Sequence, residues 1–345
     1  MRRFLVLLFS CILLAAISGR AAGEALTAPA VTGAAAEWMP EEGSSFGSGL
    51  QSMLQKALPA AYIQIQQAVR NGVAIFCCVL LVSILSGSAP VAEIAGAVCI
   101  TALMLSHSRT LVGLAVDTVN ELGEYSKIFL PVMAAAASAQ GNVTSATALC
   151  VGTSVFTAFL SNVLRRILIP VVYLFLAAAV ANCALGEAFL KNIRDQLKKL
   201  SAWFLKTVLA VFLTYMSVTG AVTGTADKAA VKAAKAAIST VVPVIGKNLA
   251  DTSEALLLSA DLVKNSIGIS GIFGFAAIFL SPFLRIGAQY LVMKATSALC
   301  GILGNKRLTE LIEDFSTAMG LLLGMIGAMC ALSIVGTVCF LKGAL

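Results

Sequence analysis

Residues Ser281–Phe315 read SPFLRIGAQYLVMKATSALCGILGNKRLTELIEDF. Two cations, Arg285 and Lys294, sit inside a run of apolar and small residues, and a strongly charged piece follows at once. In that piece Leu308, Leu311, Ile312 and Phe315 recur at i, i+3, i+4 and i+7, which is one apolar stripe on a helix. Lys306, Arg307, Glu310, Glu313 and Asp314 cover the rest of its surface. The pattern predicts a membrane segment joined to a short amphipathic surface helix. Such a helix suits contact with headgroups or another protein, and Arg307, Glu310 and Glu313 are its candidate partner-contact residues.

Working outward, the whole chain supports a bilayer protein. Of its 345 residues, 59% are hydrophobic and 12% charged, with a mean hydropathy of +0.93. A soluble domain carries about 25% charged residues, so this chain has too little polar surface to cover a water-soluble body. The expected fold class is all-α, a polytopic helical membrane protein with six to eight spans plus amphipathic interfacial helices. The net charge of +7 is spread over cations that flank apolar runs. That distribution fits orientation in a membrane and argues against nucleic-acid binding, which needs a concentrated basic face.

The N-terminus has two arginines and then the apolar stretch Phe4–Ile17, followed by small residues. A stretch that short reads as a signal-peptide core over residues 1–22, with an uncleaved anchor as the alternative. Residues 23–70 then form a non-cytoplasmic segment, whose charges at Glu24, Glu37, Glu41 and Glu42 are acidic, and 71–345 form the membrane domain. Apolar runs follow at about 73–85, 91–105, 143–164, 167–185, 202–222, 267–284, 286–303 and 317–341. Pro90, Pro131, Pro170, Pro243 and Pro282 lie in or beside such runs and are expected to begin or kink helices.

Orientation rests on EAFLKNIRDQLKKL, Glu187–Leu200, where Lys191, Arg194, Lys198 and Lys199 face Glu187 and Asp195. Positive charge is retained in the cytoplasm, so this piece is expected inside, lying along the surface on Leu190, Ile193, Leu197 and Leu200. Residues 225–265 then fall outside, as two lysine-bearing helices, the second from Asn248 to Asn265, that are interfacial or packed on the bundle rather than spanning.

Catalytic motifs are few. The chain has no P-loop, no HExxH and no GxGxxG after a strand. Its one histidine, His107, ends an apolar run. GISG at Gly268–Gly271 has the shape found around the serine of intramembrane proteases, but no histidine follows Ser270, so a Ser–His pair is rejected. Gly268, Gly271 and Gly274 instead permit close helix approach, as do Gly220/Gly224 and Gly320/Gly324. Nine cysteines lie in apolar stretches without a CxxC pair, and read as small hydrophobes. Neither a metal nor a cofactor is implied. The intramembrane charges Glu93, Arg285 and Lys294 are candidates by cost alone, since a cation at the bilayer centre costs at least about 2.5–3.5 kcal/mol.

Two stretches carry a resemblance: AAISTVVPVIGKNLADTSEALLLSADLVKNSIG and the Ser281–Phe315 segment. With the VP-x-x-G break at Pro243–Gly246, the LVKNSIG opening and the GNKR connection, the chain resembles the stage III sporulation protein AE family, most closely over Ala202–Val338. The resemblance implies a non-enzymatic, multi-pass subunit in the mother-cell membrane surrounding the forespore. It also implies a channel complex shared with other stage III sporulation membrane and ring proteins and a cytoplasmic secretion-type ATPase. The competing reading is a self-contained secondary transporter, with Lys294 and Glu93 lining its pathway.

Overall fold

A computed structural model describes residues 28–31, 33–40, 46–86, 90–138, 143–185, 189–212, 214–215, 246–303 and 305–342. The signal-like residues 1–22, the lysine-rich 225–245, Pro243 and the Gly220/Gly224 pair lie outside them. The described residues hold a short 3₁₀ turn, Gly33–Trp38, and then long helices: α1 Phe46–Ser86, α2 Pro90–Ser138, α3 Val143–Val163 and α4 Ile169–Leu185. Residues 189–212 form α5, followed by α6 Gly246–Ile302 and α7 Lys306–Lys342.

The helices are longer than the apolar runs suggest, because neighbouring runs fuse. Runs 167–185 and 143–164 join through a single π turn, Leu164–Leu168, in which Ile169 N–H reaches Leu164 O. Pro170 accounts for that widening: it has no N–H to give to the residue four earlier, and its ring crowds that carbonyl. Runs 267–284 and 286–303 are one helix, with Pro282 and Arg285 in its interior. Arg285 is exposed there and does not mark a helix end. Five helices among the described residues are long and apolar enough to cross a membrane, where separate runs predict six to eight. Pro90 opens α2, the position where a missing N–H costs nothing.

Two further expectations are corrected by the same continuity. The described part of Glu187–Leu200, residues 189–200, is not a separate surface helix, because 189–212 is unbroken and its later residue Phe212 is fully buried. The stretch from Asn248 to Asn265 does not lie apart from the spans but forms the first turns of α6. The division expected at residue 70 falls inside α1.

Named contacts give the topology. Asn71 and His107 meet at 3.3 Å across α1 and α2, and Ser126 and Ser333 at 3.2 Å across α2 and α7. The Tyr215 hydroxyl, just beyond α5, donates to Ala148 O of α3. With α3 and α4 continuous through the π turn, the remaining successive helices run up and down. The ends of α1, α4 and α6 lie with the starts of α2, α5 and α7 at one end of the bundle, and the end of α5 lies with the start of α3 at the other.

At the centre, Phe129 of α2 and Phe275 of α6 are fully buried, with Tyr125 stacked on the first at 5.8 Å and edge-on to the second at 4.9 Å. Gly271 and Gly274 make this possible. A methyl at Gly271 would overlap the Phe129 ring, and one at Gly274 the Tyr125 ring. The helices meet where side chains are absent, the packing that replaces the hydrophobic effect when the surroundings are as apolar as the protein.

Candidate interaction site

The charged piece is not the separate short surface helix its pattern predicts but the first turns of α7, which runs unbroken to Lys342, and it begins with a cap. Asn305 Oδ1 accepts from Leu308 N–H at 3.2 Å, satisfying one of the orphan donors of the first turn. Leu308, Leu311, Ile312 and Phe315 are all fully or almost fully buried, as their spacing requires. This apolar face packs into the bundle, and its charged flank meets α5.

Arg194 makes that contact. It lies between Leu190 and Leu197 on the half-buried face of α5, and only 7% of it is exposed. Its Nη1 donates to Asp314 Oδ2 at 2.8 Å, and its Nε to Asp195 Oδ1 at 3.1 Å. Glu310 stands 3.5 Å from the same guanidinium and 3.7 Å from Lys191. Burial alone would lower the Arg194 pKa, but the Asp314 and Asp195 carboxylates outweigh it and raise the value. Two charges taken out of water repay that cost only when the geometry is good and other bonds complete the shell. Here both conditions are met, and the cluster acts as a clasp between α5 and α7.

A second pair flanks it. Lys294 Nζ of α6 donates to Glu313 Oε1 at 2.5 Å, and both side chains are about half exposed, at 46% and 51%. Lys294 thus finds its partner across the α6–α7 turn, while Glu93 lies in the first turn of α2 with its side chain outside the described residues. Of the three partner-contact candidates, Glu310 and Glu313 are engaged within the chain but keep an open side. Arg307 is exposed, and only its backbone carbonyl is used, by Cys183 Sγ at 3.6 Å.

Arg194 and Asp314 are the residues that sequence reading assigned to a polar face. The signal was available: each sits at a stripe position among leucines, and the charges are opposite. Only the three-dimensional pairing shows that two such positions meet.

The arrangement holds and positions helices. His107 shares a small pocket with Gln289, and Ser270 lies nineteen residues earlier on the same helix as Gln289, about 28 Å away at 1.5 Å per residue. Ser270 and His107 therefore do not form a dyad. Among the described residues no three His, Cys, Asp or Glu side chains gather where a metal ion could sit. The three most buried thiols among the described residues, Cys183, Cys300 and Cys330, pack in the core.

A family described as Stage III sporulation protein AE matches residues 46–341, from the start of α1 almost to the end of α7. The chain belongs to that family. Its similarity reaches well before the Ala202 boundary suggested by the sequence motifs. A curated relative, Stage III sporulation protein AE of Bacillus subtilis (strain 168), is 21% identical over 244 residues, which is 70% of this chain. The chain covers 59% of that relative's length. No solved structure matches. Family membership and five apolar helices make this a multi-pass membrane protein with a role in sporulation.

Proposed function

We propose that the protein is a non-enzymatic integral membrane subunit of the channel complex linking mother cell and forespore, required for endospore development. It sits in the mother-cell membrane surrounding the forespore. Its partners are other stage III sporulation membrane and ring proteins and a cytoplasmic secretion-type ATPase. The observation that carries this reading is the family match across every helix of the bundle. The clasp fits the role: its interior charges fix the α5–α7 geometry, while Arg307 and the open sides of Glu310 and Glu313 offer a polar surface to a neighbour.

The end of the bundle that holds the clasp is its cytoplasmic end in this reading. Lys191, Lys198, Lys199, Lys306 and Arg307 are all exposed there, and retained loops are the cation-rich ones. A cysteine at Lys198, in a variant depleted of native cysteines, should label with an impermeant reagent only after permeabilisation.

The deciding experiment is deletion followed by recovery of partners. Vegetative growth should be unchanged, sporulation should stop after engulfment, and an affinity-tagged copy should co-purify sporulation membrane proteins. An equally severe vegetative defect, with no such proteins recovered, would point to a general transporter instead.

A further inference from the structure

Away from the clasp, a cleft of about 120 Å³ opens between α2 and α3. Its floor is a set of buried hydroxyls: Ser126, Thr157 and Ser161. Its lip carries Lys127, Arg165 and Asn162, with Glu124 beside Lys127. An apolar bundle has no structural need for so polar a hollow.

The bonding inside it is incomplete. Glu124 is taken up by Lys127 at 2.6 Å. Ser126 is taken up by Ser333. Arg165 folds back along its own helix, with Nε donating to Ser161 O at 3.4 Å and Nη2 to Asn162 Oδ1 at 3.2 Å. That contact occupies the oxygen of the Asn162 amide and leaves its NH₂ able to donate. Among the described residues no carboxylate pairs with the Arg165 guanidinium. Thr157 lines the cleft and as a residue is 4% exposed, and its hydroxyl is buried with no hydrogen-bond partner among the described residues. A buried hydroxyl without a partner costs about 1–3 kcal/mol, and the exposed Arg165 guanidinium brings further donors to the cleft mouth with no carboxylate on it among the described residues. One ligand type would engage both.

We propose that this cleft binds an oxyanion, a phosphate or phosphate-like group, between Arg165 and the Thr157 hydroxyl. The lip holds two cations against one carboxylate, so its net charge favours an anion. The guanidinium fork matches two oxygens of a phosphate, and Thr157, Asn162 and Lys127 supply further donors. The volume admits a single group of that size or several waters. The π turn at Leu164–Leu168 starts beside the cleft and includes Arg165, and widened turns of this kind recur at functional sites. A free solute and a lipid headgroup offer the same phosphate chemistry, and the two arms of the test separate them.

The test uses the full chain purified in a phosphate-free maltoside detergent, titrated with inorganic phosphate and, separately, with phosphatidylglycerol. Binding is read by calorimetry and by the shift in thermal unfolding, with chloride at equal ionic strength as control. Phosphate should bind and raise the melting temperature, and chloride should not. Thr157→Val and Arg165→Gln should each weaken binding about tenfold or more without lowering the ligand-free melting temperature. Protection by phosphatidylglycerol alone, lost in Thr157→Val, assigns the oxyanion to a lipid. If neither probe binds, if chloride does as well, or if Thr157→Val binds like wild type, the proposal fails. Should Arg165→Gln not fold, Thr157→Val still decides.

Discussion

The clasp and the cleft are both polar clusters on long apolar helices, and they differ in whether their bonding is closed. In the clasp, Arg194 is matched by Asp314, Asp195 and Glu310, and the two most buried members face each other at 2.8 Å. In the cleft, the Arg165 charge and the Thr157 hydroxyl have no such match. A closed cluster is a structural joint, because removing any member strands the others. An open one is held at a cost that only something outside the chain can repay. The difference predicts opposite mutational behaviour: the clasp should respond in stability, the cleft in binding.

The largest effect should come from Arg194→Met. It leaves Asp314 buried at 8% exposure without its cation, and breaking one side of a buried pair costs about 3–5 kcal/mol. The variant should show a much lower melting temperature in detergent and a reduced protein level in cells. Arg194→Met with Asp314→Leu should recover most of the loss, since two apolar residues of similar volume replace the pair without stranding a charge. A single variant as stable as wild type would erase the distinction between the two clusters.

Next in size is an apolar control that belongs to neither cluster. Gly271→Ala puts a methyl against the Phe129 ring, and overpacking of this kind costs about 1–3 kcal/mol. Phe129→Leu in the same chain should relieve part of it. If Gly271→Ala proves more damaging than Arg194→Met, close helix approach rather than the clasp dominates the stability of the bundle.

The parts of this molecule that were legible in sequence are those set by local pattern. The stripe Leu308, Leu311, Ile312 and Phe315 is buried as its spacing says. Gly271 and Gly274 mark a close contact, because only a missing side chain leaves room for the Phe129 and Tyr125 rings. Helix ends were harder. Pro282 and Arg285 look like a terminus, yet α6 runs through both; surrounding helices can cover the carbonyl a proline frees, and that cover is a tertiary fact. The pairings were not legible at all. Nothing in the chain ties Arg194 to Asp314, 120 residues later, or places Thr157 opposite Ser126 across a cleft. The transporter reading pairs Lys294 with Glu93, whereas its neighbour in space is Glu313, about two turns into the helix that follows.

The smallest effect is expected at that last pair, and it carries the sharpest consequence for function. Lys294 and Glu313 are each about half exposed, so water and salt screen their attraction, and such pairs contribute about 0–1 kcal/mol. Lys294→Gln, Glu313→Gln and the double variant should all melt within a few degrees of wild type, with a coupling that shrinks further at high salt. In sporulating cells Lys294→Gln should give normal protein level and normal spore yield, because no buried carboxylate is left behind. Reversing Arg307 and Glu310 together should instead lower the recovery of neighbouring sporulation proteins while membrane insertion stays intact, since these residues form the open flank of the clasp. The two variants separate a subunit that works through its surface from one that carries charge along a path through itself. If Lys294→Gln abolishes sporulation at normal protein level while the double reversal is silent, the secondary transporter becomes the better reading of this bundle.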